Sequence, residues 1–305
     1  MKTFIIGAGS DLGVHIDGSA LGPVQLINDI KGFYKGESIT ILQDENILKS
    51  RNLSDLRKNE YELEEFNQKI YQTVEEKLNE DYFPILLGGD STTSIPIALA
   101  SAKKHDNIGM IYFSPYASYN TFDTTVTGNL NGLSLAAITG YKNNELRYYH
   151  KGSIPQATKT VALGVRNIED WEKDNIKYSG LNIFTSNDIK EKGLEAVIEE
   201  AFKIASEKTK GIHISFNLCL LDPSIAPGVS IPVFDGLTEE EVMTINKVII
   251  KHIDNIVSYD IVEFNPLRDA SRKTEQIAIN LIAQIIKAVE NKTNTNFKES
   301  STNQN

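Results

Sequence analysis

The sequence predicts an α/β protein built on a doubly wound, mainly parallel sheet of eight strands, in a three-layer αβα arrangement. Short runs rich in β-branched residues recur eight times along the 305 residues. Most of these runs are continuously apolar, as is typical of strands that are buried on both faces. Helical patterns separate the runs, and strands that alternate with helices form a parallel sheet covered on both sides.

The predicted elements follow one another in a regular order. The strands are expected at residues 3–6, 38–42, 84–87, 108–113, 160–165, 181–184, 212–216 and 256–262. The clearest helical patterns lie at residues 59–78, 95–103, 194–208, 239–253 and 274–289. Thr238 and Glu241 have the spacing of a capping box at the start of the fourth of these helices. Asn265 and Pro266 end the last strand.

The chain is expected to form one domain over residues 1–290, because no internal repeat and no linker divides it. Residues 291–305 are polar and nearly free of apolar side chains. Such a segment cannot bury enough apolar surface to order itself, so we expect a disordered C-terminal tail.

Composition excludes several classes of partner. The formal net charge is −10 and lysine and arginine do not cluster, which argues against nucleic acid and anionic membranes. No apolar run reaches the roughly 18 residues of a membrane span, and the N-terminal apolar stretch is too short for a signal peptide. A single cysteine excludes an internal disulfide framework. We therefore expect a cytoplasmic protein.

Three short motifs place polar residues at the ends of predicted strands. They read GGDST at residues 88–92, SPYAS at 114–118 and SFNLC at 215–219, and Asp222 and Pro223 come shortly after the last. These motifs resemble those of the arginase (ureohydrolase) family, which read Gly-Gly-Asp-His, Asp-Ala-His-x-Asp and Ser-Phe-Asp-x-Asp, followed by Asp-Pro. The resemblance implies the eight-stranded α/β fold of that family.

Two further blocks extend the resemblance. Residues 124–132 are similar to the arginase loop that holds the amino-acid end of the substrate. Residues 260–266 are similar to the strand that bears the guanidinium-binding glutamate. Order and spacing agree over residues 2–290, and several blocks in the right order are far more specific than any single motif.

The resemblance implies that this chain has lost the ligands of the family's two Mn²⁺ ions. The substituted positions carry Ser91 and Tyr116 in place of histidine, and Ser114, Ser118, Asn217 and Cys219 in place of aspartate. Manganese prefers anionic oxygen and imidazole ligands, and a binuclear centre acts by activating a bridging water. Hydroxyl, amide and thiol groups do not meet these needs, so we expect no metal cofactor and no catalytic residue.

Five residues match positions that hold the substrate in arginases. Glu263 stands where a carboxylate accepts hydrogen bonds from the guanidinium group. Asn120, Thr125 and Thr127 match residues that hold the α-carboxylate. Glu169 falls where an aspartate meets the α-amino group. In the alternative interpretation Glu263 forms an ordinary ion pair and the others are ordinary loop residues.

Three functions remain open. The first is a catalytically inactive arginase-like protein with a structural or regulatory role, as a homo-oligomer (a trimer or hexamer, as the resemblance implies) or as the partner of an active arginase-type chain. The second is a metal-free binder of arginine, ornithine or a similar amino acid. The third is an active ureohydrolase with an atypical metal arrangement, or with Cys219 as nucleophile. We favour the first.

Overall fold

The computed structural model describes residues 2–46, 57, 59–143 and 145–302. In these residues eight strands form a single sheet: β1 (Lys2–Gly9), β2 (Glu37–Leu42), β3 (Tyr82–Gly88), β4 (Gly109–Phe113), β5 (Thr160–Val165), β6 (Asn182–Thr185), β7 (Ile212–Asn217) and β8 (Ile256–Val262). Their order across the sheet is β2-β1-β3-β8-β7-β4-β5-β6, and every neighbouring pair is parallel. The predicted eight-stranded parallel sheet is confirmed.

Nine α-helices occur in the same residues: α1 (Gly22–Ile30), α2 (Glu60–Asn79), α3 (Ser94–His105), α4 (Ser134–Ile138), α5 (Asp170–Ser179), α6 (Ser186–Lys192), α7 (Leu194–Ser206), α8 (Glu239–Lys251) and α9 (Lys273–Thr302). Five of them (α2, α3, α7, α8 and α9) lie where the sequence predicts helices. The capping box at the start of α8 forms, since Thr238 N donates to the Glu241 carboxylate at 2.8 Å and Glu241 N donates to Thr238 Oγ1 at 3.2 Å. No helix in the described residues is both long and apolar enough to cross a lipid bilayer.

The sequence does not predict the helices α1, α4, α5 and α6. The buried residues of α5 are Glu172 and Asn175, which are both polar, so this helix lacks an apolar stripe of helical period. The helices α4 and α6 have only 5 and 7 residues, which is too short for such a stripe to stand out.

The last helix runs further than expected. The backbone of α9 remains helical to Thr302, whereas the sequence predicts a disordered tail from residue 291, and residues 303–305 lie outside the described residues. The costly step in helix formation is the first turn, and each further residue adds one hydrogen bond to a helix that already exists. A polar segment can therefore continue α9 without an apolar face of its own.

The sheet is buried on both faces. Side chains alternate between the two faces of a strand. Ile5 and Ile85 accordingly belong to one hydrophobic cluster, whereas Phe4 and Ile6 belong to the other. Helices α1, α7, α8 and α9 contribute to the first cluster, and α2, α3 and α4 contribute to the second. This arrangement is the predicted αβα sandwich.

Close packing fixes the chain where β3 ends. A Cβ atom at Gly89 would come within 1.8 Å of the Ser10 carbonyl oxygen, so only glycine fits there. The next residue, Asp90, accepts hydrogen bonds from Gly13 N at 2.9 Å and Thr92 N at 2.8 Å. The loops that follow β1 and β3 are therefore tied together at the carboxyl edge of the sheet.

A buried polar network joins β7, β8 and α3 beneath that edge. The Asp260 carboxylate lies 2.9 Å from His213 Nε2. It also accepts hydrogen bonds from Ser215 Oγ at 2.8 Å and from Ser94 Oγ at 3.0 Å. All four residues are fully buried, so these groups depend on Asp260 rather than on water.

Removing this acceptor should destabilise the whole fold. We expect Asp260→Ala to lower the free energy of unfolding by about 3–5 kcal/mol, because it removes the acceptor that three buried polar groups share. Ser94 and Ser215 then keep only each other, at 3.2 Å. The matched control is Asp254→Ala: this side chain is 78% exposed and meets Lys292 at 3.2 Å on the surface. Its loss should cost less than about 1 kcal/mol. Urea denaturation followed by circular dichroism measures both values, and equal losses would contradict the role of Asp260.

Candidate functional site

The carboxyl ends of β3, β8, β7, β4 and β5, which are consecutive in the sheet, meet along one edge. The predicted site residues at these ends are Ser91 after β3, Glu263 after β8, Asn217 at the end of β7, residues 114–118 after β4 and Glu169 after β5. Parallel α/β sheets form their sites at this edge, because loops from several strands converge there.

Four of the predicted site residues form one hydrogen-bonded group. Glu263 Oε1 accepts from Ser91 N at 2.9 Å and from Ser91 Oγ at 2.6 Å. Asn217 Nδ2 donates to Ser91 Oγ at 3.2 Å, and Asn217 Oδ1 accepts from Cys219 N at 2.8 Å. The polar atoms of Ser91 and Asn217 are therefore engaged with neighbouring residues.

A buried tyrosine outside the sequence motifs lies among the serines of this site. Tyr112 on β4 is fully buried, and its hydroxyl lies 3.2 Å from Ser118 Oγ. Burial raises the pKa of the phenol to about 12, and hydrogen bonding with Ser118, Ser91 and Ser114 opposes the shift. The phenol is therefore neutral near pH 7. Its hydroxyl joins those of the three serines, which stand at the positions of the lost metal ligands.

Tyr116 is held at both ends. Its backbone N–H donates to Ser114 Oγ at 3.1 Å, and its hydroxyl donates to the Ile231 carbonyl oxygen at 2.7 Å. Burial raises the pKa of this phenol far above its ordinary value, and the nearby Cys219 and Glu263 raise it further. Tyr116 is thus a fixed, neutral side chain.

The Cys219 side chain is a protonated thiol. It is 1% exposed, and burial raises its pKa well above the ordinary value, with a further contribution from Glu263. A thiol must ionise before it becomes a strong metal ligand or nucleophile. The surroundings of Cys219 therefore favour neither role.

Glu263 is a buried acid with one unsatisfied oxygen. It is 1% exposed, and in the described residues its Oε2 has no hydrogen-bond partner. Burial raises the pKa of the carboxyl group to about 7, Asp90 adds to the shift, and the bonds from Ser91 oppose it. The backbone of Glu263 has a φ of 76°, a left-handed conformation that costs a non-glycine residue about 1–3 kcal/mol. At the end of β8, a buried acid with one unpartnered oxygen therefore stands on strained backbone.

The residues at this edge do not fit a binuclear manganese centre. Such a centre requires several anionic oxygens and imidazoles around two cations. The six positions offer three aliphatic hydroxyls, a phenol, an amide and a thiol. Across the described ranges, no three or more His, Cys, Asp or Glu side chains are grouped so that they could hold a metal ion.

A cavity of about 190 Å³ adjoins the hydrogen-bonded group. Its walls are formed by His15, Tyr116, Ser118, Asn120, Thr125, Thr127, Asn129, Asn131, Gly132, Asn167, Glu169, Glu172 and Ile231. Four of the five predicted substrate-binding residues line it, namely Asn120, Thr125, Thr127 and Glu169. The fifth, Glu263, does not, and Asn131 lies between, since its amide lines the cavity and donates to Glu263 Oε1 at 3.5 Å.

Two glutamates give the cavity its charge. Glu169 Oε2 accepts from Asn120 Nδ2 at 3.1 Å. Glu172 accepts from Tyr119 N at 2.6 Å and from Glu169 N at 3.1 Å. Burial raises the pKa of Glu172 to about 7, and the two backbone bonds oppose the shift. Among the described residues that form the walls, none is lysine or arginine, so the cavity favours a ligand with a cationic group.

Five residues of the site are not predicted from the sequence: Tyr112, Glu172, His15, Asn167 and Ile231. Tyr112 belongs to a strand that is otherwise apolar, which hides its polar role. Glu172 carries a usable signal, because it follows Glu169 at the three-residue spacing of a capping box. His15 has no motif around it, and the loop after β1 brings its Nδ1 to 3.2 Å from Asn129 Oδ1.

Known proteins resemble this chain in sequence. The model of the arginase family matches residues 1–287. The arginase of Bacillus caldovelox is 33% identical over 223 residues, which cover 72% of this chain and 74% of that protein. The arginase of Brevibacillus brevis is 30% identical over 288 residues, which cover 92% of this chain and 96% of that protein.

The similarity extends to the fold. The crystal structure of arginase from Bacillus cereus superposes with a TM-score of 0.83 at 29% identity, covering 94% of this chain and 98% of that chain. The superposition thus covers nearly the full length of both chains. The chain belongs to the arginase family.

Proposed function

We propose that this chain is a catalytically inactive member of the arginase family, which holds no binuclear manganese centre and has a structural or regulatory role. The observation that carries the proposal is the hydrogen-bonded group at the ends of β3, β4, β7 and β8. There Ser91 bonds to Glu263 and Asn217, and Tyr112 bonds to Ser118. Three of the positions where metal ligands would be needed, Ser91, Ser118 and Asn217, thus hold neutral side chains that bond to their neighbours.

The charge of the site supports the same proposal. Two Mn²⁺ ions would bring four positive charges into a buried site, and buried charge is costly unless anions pair with it. Glu263 is one acid, with a pKa of about 7, and the Cys219 thiol is neutral. A metal supplies the chemistry in such a site by making hydroxide available near pH 7. Without it, the six positions present only hydroxyls, a phenol, an amide and a thiol, and none of these supplies hydroxide.

The structural role requires a surface for assembly. We propose a homo-oligomer, a trimer or hexamer with closed symmetry, that also co-assembles with an active arginase-type partner where one is present. Exposed apolar side chains such as Phe234 (74% exposed) and Leu267 (67% exposed) support an assembly surface. Light scattering at micromolar concentration tests the homomeric part, and a strictly monomeric mass would contradict it.

A second candidate function is favoured by the cavity. A metal-free binder of amino acids, predicted from the sequence as an arginine or ornithine binder, needs groups that meet both an ammonium and a carboxylate. Glu169 and Glu172 suit the ammonium, and the hydroxyls of Thr125 and Thr127 can donate to the carboxylate. This function is compatible with an inactive chain, because it uses neither a metal nor a nucleophile.

Restoring the ligands should restore metal binding if the site is correctly located. The variant combines Ser91→His, Ser114→Asp, Tyr116→His, Ser118→Asp, Asn217→Asp and Cys219→Asp. We expect saturating Mn²⁺ to raise its melting temperature by several degrees, because a ligand at about 100 times its Kd stabilises the native state by about 2.7 kcal/mol. Differential scanning fluorimetry and elemental analysis measure the effect.

The matched control carries the same two histidines but asparagine at the four aspartate positions. It has nearly the same shape without the anions, so Mn²⁺ should leave its melting temperature unchanged, as it should for the unmodified chain. One or two Mn per unmodified chain would refute the proposed loss of the metal. A sixfold variant that folds but takes up no Mn²⁺ would show that the site is wrongly located.

The buried Glu172 should make stability depend on pH in a defined direction. Its pKa rises from 4.5 to about 7 on folding, so the folded state holds the proton more tightly than the unfolded state. This contribution is fully present below about pH 4.5 and is lost as the pH rises through about 7. The difference in unfolding free energy between the unmodified chain and Glu172→Gln should therefore fall by roughly 1–3 kcal/mol between these limits.

Urea denaturation at a series of pH values measures this difference. The substitution itself can change the unfolding free energy by a constant amount. This amount does not affect the test, because the test uses only the change of the difference with pH. Glu263 titrates in the same range but is present in both proteins, so its effect cancels. A difference that is the same at all pH values would contradict the raised pKa.

A further inference from the structure

Tyr116 forms part of the cavity wall, whereas Glu263 does not. The Tyr116 side chain lines the cavity together with Ile231, and its hydroxyl donates to the Ile231 carbonyl oxygen at 2.7 Å. This hydrogen bond holds the Tyr116 ring in the wall. A ligand that reaches past the ring must break this bond or move the ring.

The buried acid Glu263 and the neighbouring Ser91 and Asn217 do not line the cavity. Glu263 is 1% exposed, and Asn131, a residue of the cavity wall, donates to its Oε1 at 3.5 Å. Ser91 and Asn217 are equally buried, at 2% and 1% exposure. A guanidinium group at the end of a long side chain therefore has no route to the Glu263 carboxylate.

Part of the cavity wall is neutral. It includes the Tyr116 ring, Ile231, the Ser118 hydroxyl and the Asn131 amide, which donates to Glu263. The charged groups, Glu169 and Glu172, belong to the part of the wall formed by α5 and the residue before it. The cavity of about 190 Å³ is also smaller than the roughly 300–1,000 Å³ that is usual for sites of drug-sized ligands.

We propose that the cavity binds a small zwitterionic α-amino acid with a short, uncharged side chain, and that Tyr116 excludes arginine and ornithine. The inference rests on the amino-acid-binding function proposed above and narrows it to one class of ligand. The ammonium group meets Glu169 and Glu172, the carboxylate meets the threonine hydroxyls, and the side chain ends against the neutral wall. Selectivity arises because a cationic side chain would lose its hydrating water against the neutral wall and would meet no anionic group in return.

Isothermal titration calorimetry of the full chain tests the proposal. The probes are glycine, L-serine, L-threonine and L-asparagine on one side, and L-arginine and L-ornithine on the other. We expect at least one short amino acid to bind at least about tenfold more tightly than either long one. Glu169→Gln keeps the size of the side chain and removes its charge, so it should weaken that binding by about tenfold or more.

Two substitutions test the exclusion of arginine by Tyr116. Tyr116→Ala should open the cavity wall, and Tyr116→His is a milder change that no longer reaches Ile231 and serves if the alanine variant fails to fold. Either substitution should reduce or reverse the difference in affinity between the short amino acids and arginine. The control is Tyr61→Ala on α2, where the side chain is 68% exposed and outside the cavity, and it should change no affinity.

The outcomes separate the narrow claim from the broader one. Binding of no amino acid at millimolar concentration would overturn the amino-acid-binding function altogether. Arginine binding as tightly as the short amino acids would overturn the narrower claim and leave that function standing. Short amino acids binding selectively, with no gain for arginine in a folded Tyr116 variant, would overturn the role of Tyr116.

Discussion

The buried carboxyl group of Glu263 is the constraint around which the site is arranged. A buried acid is stabilised by a cation, by hydrogen-bond donors or by its own protonation. In this chain the donors are the Ser91 amide and hydroxyl at 2.9 and 2.6 Å, with Asn131 at 3.5 Å. Protonation supplies the rest, since burial raises the pKa of the carboxyl group to about 7. Neither the hydrogen-bond donors nor the proton requires a metal ion.

This constraint extends outward through the side chains that replace ligands. Ser91 is shared between Glu263 and Asn217, and Tyr112 lies with its hydroxyl among the neighbouring serines. Tyr116 bonds to Ile231 and lines the cavity with it, whereas Glu263, Ser91 and Asn217 do not line it. The edge of the sheet where strand ends converge thus carries two parts: a buried hydrogen-bonded group and a small polar cavity.

Much of the fold is predictable from the sequence because its strands are buried on both faces. The apolar runs at 160–165 and 256–262 coincide with β5 and β8, and the motifs that follow β3, β4 and β7 stand at the predicted edge. The helix α5 is different, because its buried residues are polar and leave no periodic apolar pattern. The hydrogen bond that holds Tyr116 in the cavity wall could not be predicted, since its partner Ile231 lies 115 residues further along the chain.

The proposed inactivity depends most directly on the absence of a metal-activated nucleophile. The measurement that tests this absence is urea release from L-arginine by the purified full chain after incubation with Mn²⁺. The uncatalysed barrier to guanidinium hydrolysis stays in place without a metal-bound hydroxide, so the rate should be indistinguishable from that of a protein-free blank. A rate that saturates with arginine, scales with protein concentration and is lost on Ser118→Ala or Cys219→Ala would contradict the account.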